Sequence, residues 1–452
     1  MSDSGATGAI EYSQDSAPRD CITESEGSHD SGDEEGKGKG PTGNNTDPEA
    51  EPKAAEAPWD GKRKAEGDGP EQAKRPMTHM PEDAKAPEDD EGRLHWPSDF
   101  WNTKAPTFSA GFAEELVKVA RSLVDHGKGL LACDESHEVI SCRFQSAHMH
   151  NHAQNRIGWR EILFKTDGLS KFISGAILVE EELLQCDSFD NKLVKVLKER
   201  GIIPGIKADE GLKALIGGGD DEKWTAGLDN LDSRSQGYYE NGARFASWRT
   251  VFKVDVKGGC PTNLMLEVAA HNFARFARNC QENGLVPIVE VEILQVGSHS
   301  VEVTARVMRH ILMCVYAKLQ NHGVLLRASL LRMSMVTPGV ESREEAGLQV
   351  VAEKTVETLD ATLPPTVPGV CFLSGALSDE NAARALSLMT KVSRKGICRF
   401  TFSFSDRLQE RAIQTWRGRA GWTAMAQHTV IKGAEVLSEC SQGRYCNDLD
   451  GF

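Results

Sequence analysis

From Ala105 onward the chain alternates between two kinds of apolar spacing. Short runs in which nearly every residue is apolar, the pattern of a strand buried on both faces, are separated by longer stretches with an apolar residue every third or fourth position, the pattern of a helix packed on a sheet. Helical spacing over residues 114–124 leads into GLLACDES (129–136), and 155–165 leads into ISGAILVEE (173–181). A helix over 192–200 precedes IPGIKAD (203–209), and one over 235–246 precedes RTVFKVD (249–255). Helical stretches at 263–283, 301–321, 343–359 and 381–392 then precede VPIVEVEIL, LLRASLLRMSM, VCFLSGAL and CRFTFSFS in turn. Eight strand-like runs, each separated by a helix, predict an α/β fold closed as a (β/α)8 TIM barrel. No G-x-G-x-x-G follows the first run, which argues against a doubly wound dinucleotide-binding sheet.

Before residue 95 the alternation is missing. Residues 1–100 hold 25 Asp and Glu against 11 Lys and Arg, a balance of −14. Few of them are aromatic or β-branched, so this composition predicts a disordered acidic extension over residues 1–95. The expected layout is therefore that extension, a barrel over 105–445 and a short tail over 446–452. Residues 101–452 carry 42 acidic and 41 basic groups, which speaks against a broad nucleic-acid surface on the barrel. Two basic clusters, Lys62-Arg63-Lys64 and Lys74-Arg75, are spaced like a bipartite nuclear import signal. The 11 cysteines are scattered without a CxxC pair, the pattern of reduced intracellular thiols rather than a zinc site or disulfide frame. No apolar run nears the roughly 20 residues of a membrane span, and no signal peptide opens the chain. The expectation is a soluble cytoplasmic protein, with the basic clusters as a route to the nucleus.

In a (β/α)8 barrel the chemistry sits at the C-terminal strand ends. There the chain places Asp134 after the first run, Lys207 and Asp209 after the third, Lys253 and Asp255 after the fourth, and Glu290 and Glu292 on the fifth. Arg332 lies on the sixth, Ser374 and Gly375 after the seventh, and Ser403, Ser405 and Asp406 at the eighth. Glu290 and Glu292 are two apart on a strand, so they share a face.

Seven stretches in order, ELVKVARSLVDHGKGLLACDES, GIKADEG, NGARFASWR, ENGLVPIVEVEIL, LLRMSMVTPG, CFLSGALSDE and CSQGRY, resemble class I fructose-bisphosphate aldolase, over about residues 105–445. The resemblance implies the barrel already expected from periodicity. It also implies glycolytic carbon–carbon bond cleavage of a sugar bisphosphate through an imine on a lysine, without cofactor or metal, in a protein that is commonly a tetramer. Carried over by motif, Asp134, Glu290 and Glu292 match catalytic acids. Arg143, Lys207, Arg249, Ser374 and Gly375 match substrate- and phosphate-binding positions.

The departures from the family pattern bear on chemistry. The imine-forming lysine of LLKPNMVTPG is Arg332 here, and a guanidinium stays protonated and is a poor nucleophile. The lysine of FAKWR is Ser247. The phosphate-gripping arginine of FSYGR aligns with Asp406, and Arg407 beside it is expected to point to the opposite face of its strand. The last residues, 448–452, fall short of the family's mobile tail and terminal tyrosine. The expectation is a catalytically lapsed or strongly impaired aldolase relative that binds a partner or acts as a scaffold. The alternative is an aldehyde-lyase acting on fructose 1,6-bisphosphate or another sugar phosphate through a different lysine, Lys207 or Lys253.

Overall fold

The computed structural model describes residues 112–375, 377–393, 398–403 and 406–445, without the side chains of 406–408. The extension at 1–95, its basic clusters, Ser405 and the tail at 446–452 lie outside the described residues. In chain order the elements are α1 (Ala113–Leu123), β1 (Gly129–Ala132), α2 (His137–Ser146), α3 (Ala153–Phe164), β2 (Ile173–Leu178), α4 (Glu180–Leu184), α5 (Leu193–Glu199) and β3 (Ile203–Lys207). Then come β4 (Leu212–Ala214), β5 (Lys223–Thr225), α6 (Leu231–Glu240), β6 (Phe245–Phe252), α7 (Asn263–Glu282), β7 (Val286–Ile293), α8 (Val301–Asn321) and β8 (Leu330–Ser334). The last are α9 (Leu348–Thr362), β9 (Gly369–Leu373), α10 (Asp379–Val392), β10 (Arg399–Phe402), α11 (Asp406–Trp416) and α12 (Thr423–Ser441).

Eight of these strands form one parallel sheet in the order β1-β2-β3-β6-β7-β8-β9-β10. The sheet curls nearly closed, with Phe402 of β10 lying over Gly129 of β1 and Thr401 donating to the Lys128 carbonyl. This is the predicted (β/α)8 barrel. Side chains pointing outward, such as Trp248, Val289, Val291, Leu331, Met333 and Phe372, join the helices in one large apolar layer. Those pointing inward near the strand starts form a second core, in which Phe245, Ile288 and Leu330 meet Leu116, Ala120 and Leu123 of α1. Helix α1 thus closes the N-terminal end of the barrel. Gly205 is required there, because a Cβ at that position would run into the Phe245 ring.

The long helices over β6–β8 start at side-chain caps. The Thr262 hydroxyl accepts from Met265 N at the start of α7, and Ser300 accepts from Val303 N at the start of α8. Three expectations need correction. The fourth barrel strand begins at Phe245 rather than Arg249, because α6 stops at Glu240 and Gly242 turns the chain at φ 110°, a conformation that glycine adopts without strain. Ser247 is therefore a strand residue two positions before Arg249. Asp406 and Arg407 lie in the first turn of α11 and not on the last strand, which ends at Phe402, so strand alternation does not govern them. The other strands also stop short of the predicted ends, and α2, α4, the antiparallel β4–β5 pair, α11 and α12 were not anticipated.

Candidate active site

The parallel register of β6, β7 and β8 sets Arg249 beside Glu290 and Glu290 beside Arg332. Alternation sends these three inward, while Val289, Val291, Leu331 and Met333 go out to the helices. Glu290 and Glu292 do share the inner face, as their spacing predicted. Glu290 Oε2 accepts from the Ser247 hydroxyl at 3.0 Å and from Arg332 Nη1 at 2.6 Å. The same Arg332 nitrogen donates to Asp134 Oδ2 at 3.1 Å, which ties β8 across the barrel to the end of β1. Arg249 donates through Nε to Glu292 Oε2 at 2.6 Å and stands 3.9 Å from Glu290 Oε1. Its backbone N–H donates to Asp209 Oδ2 at 3.2 Å, and Asp209 Oδ1 lies 3.3 Å from Lys207 Nζ. Lys207, Asp209, Arg249, Glu290, Arg332 and Asp134 thus form one chain of alternating charge, with Glu292 as a second carboxylate on Arg249.

Burial decides how strongly these contacts count. Arg332 is 4% exposed and Glu290 3%. Desolvation opposes the charge on Arg332, but Glu290 and Asp134 outweigh it and hold the guanidinium above its ordinary pKa. Desolvation likewise works against Arg249, and Glu292, followed by Glu290, reverses it. For Glu290, burial pushes the carboxyl up from its usual range against the pull of Arg332. The Arg332 Nε is buried without a hydrogen-bond partner, so this side chain is held by its terminal nitrogen alone.

The remaining predicted residues divide into those near this centre and those directed elsewhere. Arg143, on α2, pairs with Glu135 at 2.6 Å. Glu135 also holds Arg160, which holds Glu182 and donates to Gln409 on α11. The sequence reading missed this buried network. The one signal available for it was Glu135 following Asp134 in CDES. Lys253 turns away from Glu290 and donates to the Asp220 carbonyl at 2.9 Å, and Asp255 accepts from the N–H groups of Lys257 and Gly258 in its own loop. Ser374 and Gly375 follow β9, where a Cβ at Gly375 would stand 3.5 Å from Gln295 Nε2, and Gln295 in turn accepts from Thr337 at 2.7 Å. Ser403, at the end of β10, keeps its hydroxyl buried and unpaired. Among the described residues, no group of three or more His, Cys, Asp or Glu side chains is arranged to hold a metal ion.

Comparison with known proteins bears directly on this constellation. Residues 115–451 match the family profile "Glycolytic: Fructose-bisphosphate aldolase class-I". The fructose-bisphosphate aldolase of Plasmodium falciparum is 45% identical over 342 residues, covering 76% of this chain and 92% of its own length. The chain belongs to the class-I fructose-bisphosphate aldolase family. Fructose-bisphosphate aldolase 1 of Toxoplasma gondii is 44% identical over 75% of the chain and 93% of its own. Fructose-bisphosphate aldolase 5, cytosolic, of Arabidopsis thaliana is 42% identical over 76% and 95%. A crystal structure of the P. falciparum aldolase in complex with TRAP and a small molecule inhibitor superposes with a TM-score of 0.74 at 44% identity, covering 75% of this chain and 98% of that one. Against this aldolase background, the groups touching Glu290 are Ser247, Arg332 and Arg249, and no lysine of the described residues pairs with it.

Proposed function

We propose that this aldolase-family barrel no longer forms the substrate imine and serves instead as a binding protein. The observation that carries this reading is the position of Arg332, whose Nη1 lies 2.6 Å from Glu290 and 3.1 Å from Asp134. An imine needs a neutral primary amine beside groups free to move protons. Here a guanidinium takes the position that the LLRMSMVTPG motif assigns to the nucleophile, and it engages the two carboxylates that the resemblance assigns to proton transfer. Ser247 supplies no second amine; its hydroxyl goes to the same Glu290 oxygen. Three substitutions at the motif positions, Arg332, Ser247 and Asp406, therefore act against one reaction. A protein-binding role has a precedent in the P. falciparum relative described in complex with TRAP.

The test is imine trapping. Incubation of the full chain with dihydroxyacetone phosphate or fructose 1,6-bisphosphate and borohydride is expected to leave the intact mass unchanged, while the P. falciparum aldolase under the same conditions gains the adduct. The second reading, cleavage through another lysine, rests on Lys207, which neighbours Ser247 in register. An adduct mapped to Lys207 by peptide mass spectrometry would replace the first reading with this one.

A further inference from the structure

The barrel end opposite Glu290 carries a feature that the aldolase reaction does not use. Two adjoining cavities open there, of about 860 Å3 and about 520 Å3, and both are lined by Arg121, Ser122 and Arg327. Their position follows from the topology. Arg121 stands in the last turn of α1, Arg327 in the turn before β8, residues 365–368 lead into β9, and Arg399 opens β10. All of these lie at strand starts, and Glu290 and Arg332 lie toward strand ends.

The lining is cationic. Arg399 donates to Asp125 Oδ1 at 3.3 Å and is neutralised by it. Arg121 and Arg327 have no ion pair among the described residues, in contrast to the charges around Glu290, each of which has a partner. Lys118 and Glu114 line the smaller cavity and offset each other in charge. The larger cavity has apolar walls in Pro365, Val367 and Val124 and no aromatic ring on which a base could stack. Its size and the adjoining second cavity exceed what one phosphate would fill. Paired guanidinium forks on a partly apolar groove suit carboxylates spaced along an extended chain.

We propose that this groove binds an extended acidic peptide from a partner protein, with Arg121 and Arg327 each taking a carboxylate and the proline-bordered wall taking the intervening side chains. The proposal is independent of the state of the site around Arg332.

Fluorescence anisotropy on the full chain tests it, with a labelled ten-residue peptide of alternating aspartate and serine. Saturable binding is expected, weakening as salt rises from about 50 to about 200 mM. The double variant Arg121→Ser/Arg327→Ser should bind about tenfold more weakly or worse, and Arg121→Lys/Arg327→Lys should fall between, since the charge stays and the fork is lost. Both arginines are exposed, so a thermal melt like that of the parent chain is expected for each variant. A peptide with lysine in place of aspartate should not bind. Absence of saturable binding, equal binding by the serine double variant, or displacement of the peptide by an equimolar amount of inorganic phosphate would each overturn the proposal.

Discussion

Replacing Arg332 by methionine removes the one cation between Glu290 and Asp134 and keeps much of the side-chain length. At an effective dielectric near 20, unit charges 2.6 and 3.1 Å apart, the Glu290 and Asp134 contacts, attract by about 6 and about 5 kcal/mol respectively, and the desolvation of each buried ion offsets several kcal/mol of this. Removing one partner of a buried pair leaves the other charge stranded, so the expected destabilisation is about 3–5 kcal/mol. Its pH dependence follows from Glu290. Burial already raises the folded-state pKa of this carboxyl, and Arg332 is the first group opposing that rise. A carboxyl raised on folding contributes its stability below the unfolded value of about 4.3 and loses it as pH climbs through the raised value. Without Arg332 the rise is larger, so the loss caused by the variant should be greatest at the alkaline end of the range and shrink as the pH falls and Glu290 takes up a proton. Urea unfolding of both proteins from about pH 5 to about pH 8 measures it, and Arg332→Met/Glu290→Gln should recover much of the loss. A penalty below about 1 kcal/mol that is flat with pH would refute the view that this pair is a buried ionic contact.

Arg332→Lys alone is expected to give no measurable cleavage of fructose 1,6-bisphosphate, whereas adding Ser247→Lys and Asp406→Arg should give kcat/KM above the product of the single effects, because such groups act as a unit. Ser247→Lys with Arg332 in place directs a second cation to the Glu290 oxygen and should lower the melting temperature instead of aiding catalysis. Gly205→Ala puts a methyl into the Phe245 ring and should cost about 1–3 kcal/mol in denaturant unfolding, a loss that Phe245→Leu in the same chain should partly relieve. Thr262→Ala removes the α7 cap and the hydroxyl that donates to Glu222 at 2.6 Å, and should cost about 1–2 kcal/mol in the same assay.

The barrel was legible because its strands are buried on both faces, so that apolar runs stood out between helices, and the rule placing chemistry at strand ends needed no further information. Strand four was misread at its start because Phe245, Ala246 and Ser247 are compatible with either structure; the turn at Gly242 decides it, and single-residue conformation is not written in periodicity. Helices α11 and α12 were missed once eight strands had been counted, and Asp406 was carried onto a strand by its motif. The charge chain was only half legible. Glu290 and Glu292 followed from their spacing, but the contact between Arg332 and Asp134 joins residues 198 positions apart, a pairing that local pattern does not encode. Arg143 was assigned by motif to a phosphate region, and its pairing with Glu135, in the loop between β1 and α2, is not written in that motif.

The substitutions at Arg332 and Ser247 belong together physically. A guanidinium carries five N–H donors and needs carboxylate oxygens around it, whereas an amine that forms an imine needs those same carboxylates available to exchange protons. With Arg332 in place, a lysine at position 247 would bring a second cation to an oxygen already 2.6 Å from a guanidinium; serine contributes a neutral hydroxyl to that oxygen and leaves the pair intact. Arg332 thus makes a lysine at position 247 costly, and in the barrel mouth every charge from Lys207 to Asp134 has an opposite neighbour. Such an arrangement has no uncompensated cation to draw a bisphosphate. Arg121 and Arg327, which have no ion pair among the described residues, lie at the other end of the barrel, at the strand starts.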